Sequence, residues 1–298
     1  GNLLAPDFRD ILCGQSGVGE YGKVTSLASV DLVQPWIFST RNSLSASVFA
    51  ERQSLPDIFV RRAVGFQVAL SRMIAPQTTL TGFVRPELSE LDADDVLFCT
   101  GLLVCSPTDI QALEGANWLA PIGVNLTRDR SDNLLNPRSG YRLVLDVEHA
   151  APWTGSDFRY DRIVIETTRY GAVGGSAVLA TRLRGGWISP GGFEDIARAS
   201  RNLEIVHPTK RFYPGGANSV RGFAQGRLGA RVLSAEPGDL LSSVASGGAG
   251  CSIAEVVDLT CDANGLDDER FRTQPIGGTR VLEANAEIRF PMGSFLEG

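Results

Sequence analysis

Several stretches of this 298-residue chain carry residue types that could do chemistry, and most fail on spacing. Gly17 and Gly22-Lys23 stand where a phosphate loop needs them, but Val24 occupies the place of the Mg²⁺-binding hydroxyl. The residues after Val24 alternate like a strand, so the helix N-terminus that would hold phosphate is missing. Gly14-Gln-Ser-Gly-Val18 lacks the last glycine of a nucleophile elbow. His149 and His207 have no Ser or Cys nucleophile beside them in a motif, and the pairs Asp94-Asp95 and Asp267-Asp268 lie in loop-like sequence, where solvated surface is the simpler reading. Of the five cysteines, Cys99 and Cys105 bracket one short segment and Cys251 and Cys261 another. Without a C-x-x-C or a nearby histidine they do not make a zinc site. They read as two local disulfides formed in an oxidising compartment, with Cys13 left over. The sequence therefore implies no enzyme, no cofactor and no metal.

One stretch remains. Arg211-Phe-Tyr-Pro-Gly-Gly-Ala-Asn-Ser-Val-Arg-Gly-Phe223 is too rich in glycine and proline to continue as helix or strand, yet it holds Phe212, Tyr213 and Phe223. Arg221 stands framed between Val220 and Gly222. A turn-rich loop with aromatic flanks and one framed arginine is a loop that packs against something.

The elements that must supply that surface are strands. Apolar and polar residues alternate over residues 23–38, 44–52, 60–72, 78–91, 118–130, 141–149, 158–172, 177–188 and 281–290, the period of a strand with one apolar face. In the last, Leu282, Ala284, Ala286, Ile288 and Phe290 oppose Glu283, Asn285, Glu287 and Arg289. Turns at Pro76-Gln77 and around Pro137 to Gly140 are short, whereas 92–116 and 189–278 show no strand pattern. A loop of the second length is acceptable inside a compact domain only if it is functional. Leu143, Leu145 and Val147 oppose Arg142, Asp146 and Glu148, and Leu179, Leu183 and Trp187 oppose Arg182 and Arg184. So many charges on one side of adjacent strands require a wet interior.

Composition agrees without deciding. The chain is 43% hydrophobic and 21% charged, with a net charge of -6, and shows no basic patch of the kind nucleic acid demands. No apolar run is long enough for a transmembrane helix. Membrane-crossing strands need only about ten alternating residues each, and the mean hydropathy of zero suits them. The chain opens on Gly1 with no leader sequence and stops just after a strand, which reads as a segment of something longer.

The stretch 211–223 resembles the signature loop of the BamA/TamA-type outer-membrane assembly family, the bacterial surface antigen barrels, in which Gly-Gly is followed by VRGF or VRGY. Residues 125–141, with Asn136-Pro137 and Ser139-Gly140-Tyr141, resemble the family's strand, turn and next strand. Gly277-Gly278 followed by residues 282–291 resembles the strand after the signature loop. The three matches stand in family order and cover roughly residues 20–298. The fold class implied is all-β: an antiparallel transmembrane β-barrel, sixteen-stranded in the family, of which nine or ten strands are present. Residues 1–298 would form a barrel segment incomplete at both ends, with no POTRA module, and 189–278 the long loop folded into the lumen.

The resemblance further implies an outer-membrane protein of a Gram-negative bacterium that inserts or translocates polypeptides. Its partners would be outer-membrane lipid, unfolded outer-membrane or secreted clients and periplasmic or lipoprotein accessory subunits. A passive porin-like or adhesin barrel, or a barrel attached to a patatin-like lipase, are the alternatives, although a porin would need no such loop. The site residues implied are Gly215, Gly216, Val220, Arg221, Gly222 and Phe223. Arg221 would ion-pair with Glu287, or failing that Glu283, while Gly222 brought the backbone to the wall and Phe223 packed beside it. Leu143, Leu145, Val147, Leu179, Leu183 and Ile288 would face lipid, and Arg142, Asp146, Arg182 and Glu287 the lumen.

Overall fold

In the computed structural model, residues 25–55, 58–93, 97, 98, 102, 107–174, 177–193, 205–235, 251, 252, 254, 255 and 271–290 are described. Antiparallel neighbours build one wall in nearly strict chain order. β1 (Ser26–Pro35), β2 (Asn42–Leu55) and β3 (Phe59–Ala75) are joined by short connections. The lower half of β3 pairs with β4 (Thr78–Val84) and its upper half with β5 (Glu87–Ala93). β4 continues to β7 (Ile122–Asp129), and β5 to β6 (Asn117–Leu119). After these come β8 (Gly140–Ala150), β9 (Phe158–Ala172) and β10 (Val178–Phe193). The chain then leaves the wall, makes a separate hairpin of β11 (Arg231–Ala235) and β12 (Phe271–Pro275), and returns as β13 (Arg280–Arg289) beside β10.

The run 78–91 expected as one strand is two, because Pro86 has no N–H to give the ladder. Phe66 N donates to Pro86 O at 3.1 Å instead, and one strand later Arg85 N donates to Pro121 O at 3.0 Å. β4 with β5 and β6 with β7 are thus two kinked staves, and the wall has nine staves among the described residues. β1 and β13 are its edges and do not pair with each other, so the wall is open.

Cross-strand partners share a face, which makes the wall's two sides readable from register. Asn125, Asp146, Glu148, Arg162, Glu166, Arg182, Arg184, Glu283 and Glu287 fall on the inner side. The outer side is apolar and open: Leu80, Leu126, Leu145 and Ile165 form one row across four staves. Leu80 and Ile165 of that row, and Val30, Phe66, Val124, Leu183 and Ile288 beside it, are exposed there. A water-soluble sheet would cover such a band or make it polar. No described helix is long and apolar enough to cross a membrane, which says nothing about strands.

The dry core lies at one end of the wall. Leu55, Phe59, Leu91, Leu119, Ala150, Phe158, Tyr160 and Ile188, all near the long-loop ends of their strands, bury one another with Ile205, Val206 and Phe212 from the loop. The 92–116 segment, which shows no strand pattern, contains a short helix, α1 (Pro107–Glu114), whose Ile110 and Leu113 join this cluster. The unpatterned 189–278 likewise holds β11, β12 and the end of β10. Cys251 is buried and disulfide-bonded, and Cys13, Cys99, Cys105 and Cys261 lie outside the described residues.

Candidate functional site: a loop docked on the inner wall

Residues 205–230 leave the dry core and run down the inner face. A buried charged cluster fixes the upper part. Lys210 Nζ donates to Glu148 Oε2 at 3.0 Å, Tyr160 Oη donates to the same oxygen at 3.2 Å, and Arg162 reaches both Glu148 and Asp146. Burial works against the ammonium of Lys210, but Tyr160, Glu148 and Glu87 more than reverse it and raise its pKa above the ordinary lysine value. His207, fully buried, is driven well below the ordinary histidine value by burial first and then by Arg61 and Lys210. Its Nδ1 accepts from Thr209 N at 3.4 Å, and its ring meets Phe158 edge-on. The loop therefore carries a charged lysine and a neutral histidine side by side.

Phe212 makes the central contact. Its N donates to Gly278 O at 2.8 Å and Gly278 N donates back at 2.9 Å, a single antiparallel bridge between the loop and the entry to β13. Its ring lies over Gly186 of β10, where any Cβ would collide with it, and under the Arg162 guanidinium at 5.4 Å. Tyr213 packs edge-on against Phe59, and its ring fills the space above Gly277.

The glycine pair comes next. Gly215 and Gly216 both have positive φ, and a Cβ on Gly215 would strike Ala224 O. This folds the stretch on itself: Gly216 N donates to Phe223 O at 3.0 Å and Gly215 N to Ser219 Oγ at 3.1 Å. The closed turn presents three polar groups to the wall. Ser219 Oγ donates to Glu283 Oε1 at 2.6 Å, Arg182 Nη1 donates to Asn218 O at 2.7 Å, and Arg221 Nη2 donates to Glu287 Oε1 at 2.6 Å. Glu283 is buried and also accepts from Arg184 at 3.4 Å, whereas the Arg221 side chain is 68% exposed.

Both acidic residues of β13 are thus used, by different loop residues. Two expectations need correction. Gly222 does not bring the backbone against the wall, since a Cβ there would meet nothing within 4 Å; its φ of +92° is what requires glycine. Phe223, expected beside the wall, stays 45% exposed, while Phe212 and Tyr213 are the aromatics whose rings dock. Nothing in the sequence marks Ser219, Asn218 or the Phe212–Gly186 contact. The alternation of β13 marks both carboxylates as inward, but nothing in the sequence says which loop atom meets which.

The chain that builds this wall and carries the VRGF loop matches, over residues 15–297, a known family model, that of the Omp85 superfamily domain. The chain belongs to the Omp85 superfamily. Among solved structures it is similar to BamA from Haemophilus ducreyi lacking POTRA domains 1-3, with a TM-score of 0.65 and 14% identity. That match covers 92% of this chain and 46% of the other, so the chain spans under half the length of that Omp85 relative. No curated protein matches it in sequence.

Proposed function

We propose that this chain forms wall and loop of a barrel that sits in the outer membrane of a Gram-negative bacterium and inserts or translocates polypeptides. The observation that carries the reading is the loop docked inside the wall by a deliberate set of contacts: one bridge, one ring on a glycine and three polar pins. The apolar exterior supports contact with lipid, with Leu143, Leu145, Val147, Leu179, Leu183 and Ile288 on the lipid side. The short turns then lie at the periplasmic end and the dry core at the outer end. Clients are unfolded outer-membrane or secreted chains, and accessory periplasmic or lipoprotein subunits are the expected partners. The work is mechanical: the wall and loop guide a chain, and no covalent bond changes.

Reconstitution tests it. The full-length protein in liposomes should raise the protease-protected yield of a urea-unfolded β-barrel client, and Glu283→Ala should reduce that gain. Liposomes that conduct ions but give no gain in client assembly would assign the protein to the passive pores instead.

A further inference from the structure

Beneath the docked turn, toward the short-turn ends of β9, β10 and β13, a polar pocket of about 300 Å³ remains between the loop and the wall. Three guanidiniums line it. Arg182 is taken by Glu166 at 2.7 Å, while Arg221 and Arg289 share the single carboxylate of Glu287, at 2.6 and 3.5 Å. The adjoining Arg184–Glu283 pair is neutral as a unit. Three positive charges therefore face two negative ones, a surplus of one. Arg289 lies 5.7 Å over the Tyr170 ring, and stacking on a ring face leaves its in-plane donors accessible. Asn218 and Asn285 line the same space, and their side-chain amides make no hydrogen bond among the described residues.

We propose that this pocket takes a carboxylate carried on an extended polypeptide. Glu287 already shows that a carboxylate fits between Arg221 and Arg289, and planar guanidiniums hold that group with paired hydrogen bonds. A surplus of one charge suits a carboxylate better than a doubly charged phosphate. Each free amide offers a donor and an acceptor, which is what a strand-like backbone next to the carboxylate requires. The pocket is on the inner face, out of reach of lipid headgroups along the apolar exterior. The proposal rests on the polypeptide-handling reading and names what part of a client is held there.

Fluorescence anisotropy on the full-length protein in detergent micelles tests it with three labelled hexapeptides: one with a free terminal carboxylate, the same peptide amidated, and an amidated one carrying an internal Glu. The free acid should bind about tenfold tighter than the amide, the effect of one charge-assisted contact. Arg289→Gln should abolish that preference and Arg289→Lys should restore part of it. The internal-Glu peptide then separates the sources: binding like the free acid points to acidic side chains, binding like the amide to chain termini. Equal binding of acid and amide to the unaltered protein overturns the proposal without recourse to any variant. So does a preference that survives Arg289→Gln. Client assembly in liposomes, measured on the same preparation, keeps the two readings apart. Assembly without carboxylate preference sinks the pocket alone, and preference without assembly sinks the assembly reading alone.

Discussion

Arg221 and Glu283 each tie the loop to β13, yet they should respond very differently to removal. The Arg221–Glu287 hydrogen bond is short, but the arginine is mostly in water, where an ion pair contributes about 0.2–1 kcal/mol. Arg221→Ala should therefore weaken loop docking only slightly, and a double-mutant cycle with Glu287→Ala should give a coupling within that range. Glu283 is buried and accepts from both Ser219 and Arg184, so Glu283→Ala should cost about 1.5–3 kcal/mol and leave the loop open to protease. Rates of limited proteolysis in the loop rank the two. Equal effects would mean that exposure does not govern their strength. His207 adds a pH dependence. Its pKa is depressed in the docked state, so undocked loop binds the extra proton. Stability from this group is present above about pH 6.5 and is lost as pH falls below it. Proteolysis at pH 5 should be faster than at pH 8 for the unaltered protein, and His207→Phe should reduce that difference.

At the scale of elements, the loop and β10 are a matched pair through one missing side chain. Phe212 rests where Gly186 has no Cβ, and Val281 of β13 closes the same spot. Gly186→Leu should keep the β9–β10 and β10–β13 ladders, which use backbone, while expelling the ring and with it residues 205–230. Unchanged strand content by circular dichroism together with rapid cleavage of the loop is the expected pair of results; a protected loop would show that the ring has another seat. The strands themselves were legible in the sequence because a half-wet wall imposes period-two alternation on every stave. The breaks at Pro86 and Pro121 were not, since alternation runs on through them and only the proline's lost donor betrays the kink. The helix 107–114 was hidden for another reason: a single turn of apolar contact, Ile110 and Leu113, is too short to show a period. Family likeness marked the loop as a whole, but the roles of Ser219, Phe212 and Gly186 arise from contacts between residues tens of positions apart. No local pattern encodes those.

For the whole molecule, the decisive question is which side of the wall meets lipid, and two adjacent residues of β8 answer it. Leu145 sits in the outer row between Leu126 and Ile165, two staves from Leu80. Val144, one residue earlier, points inward and pairs with Thr127 and Glu166. The two substitutions Leu145→Arg and Val144→Arg add the same charge to the same strand at nearly the same depth. Only the pleat separates them. On the outer face an arginine near the middle of the bilayer should cost about 2–4 kcal/mol, because hydrocarbon cannot solvate it. On the inner face it meets water and the carboxylate of Glu166, and should cost much less. Heat-modifiable migration of unboiled samples reads the fraction folded in membranes. Val144→Arg should keep the compact band and Leu145→Arg should lose much of it. The opposite order would mean that the register is shifted by one residue, and equal tolerance would mean that neither side of this wall is in lipid.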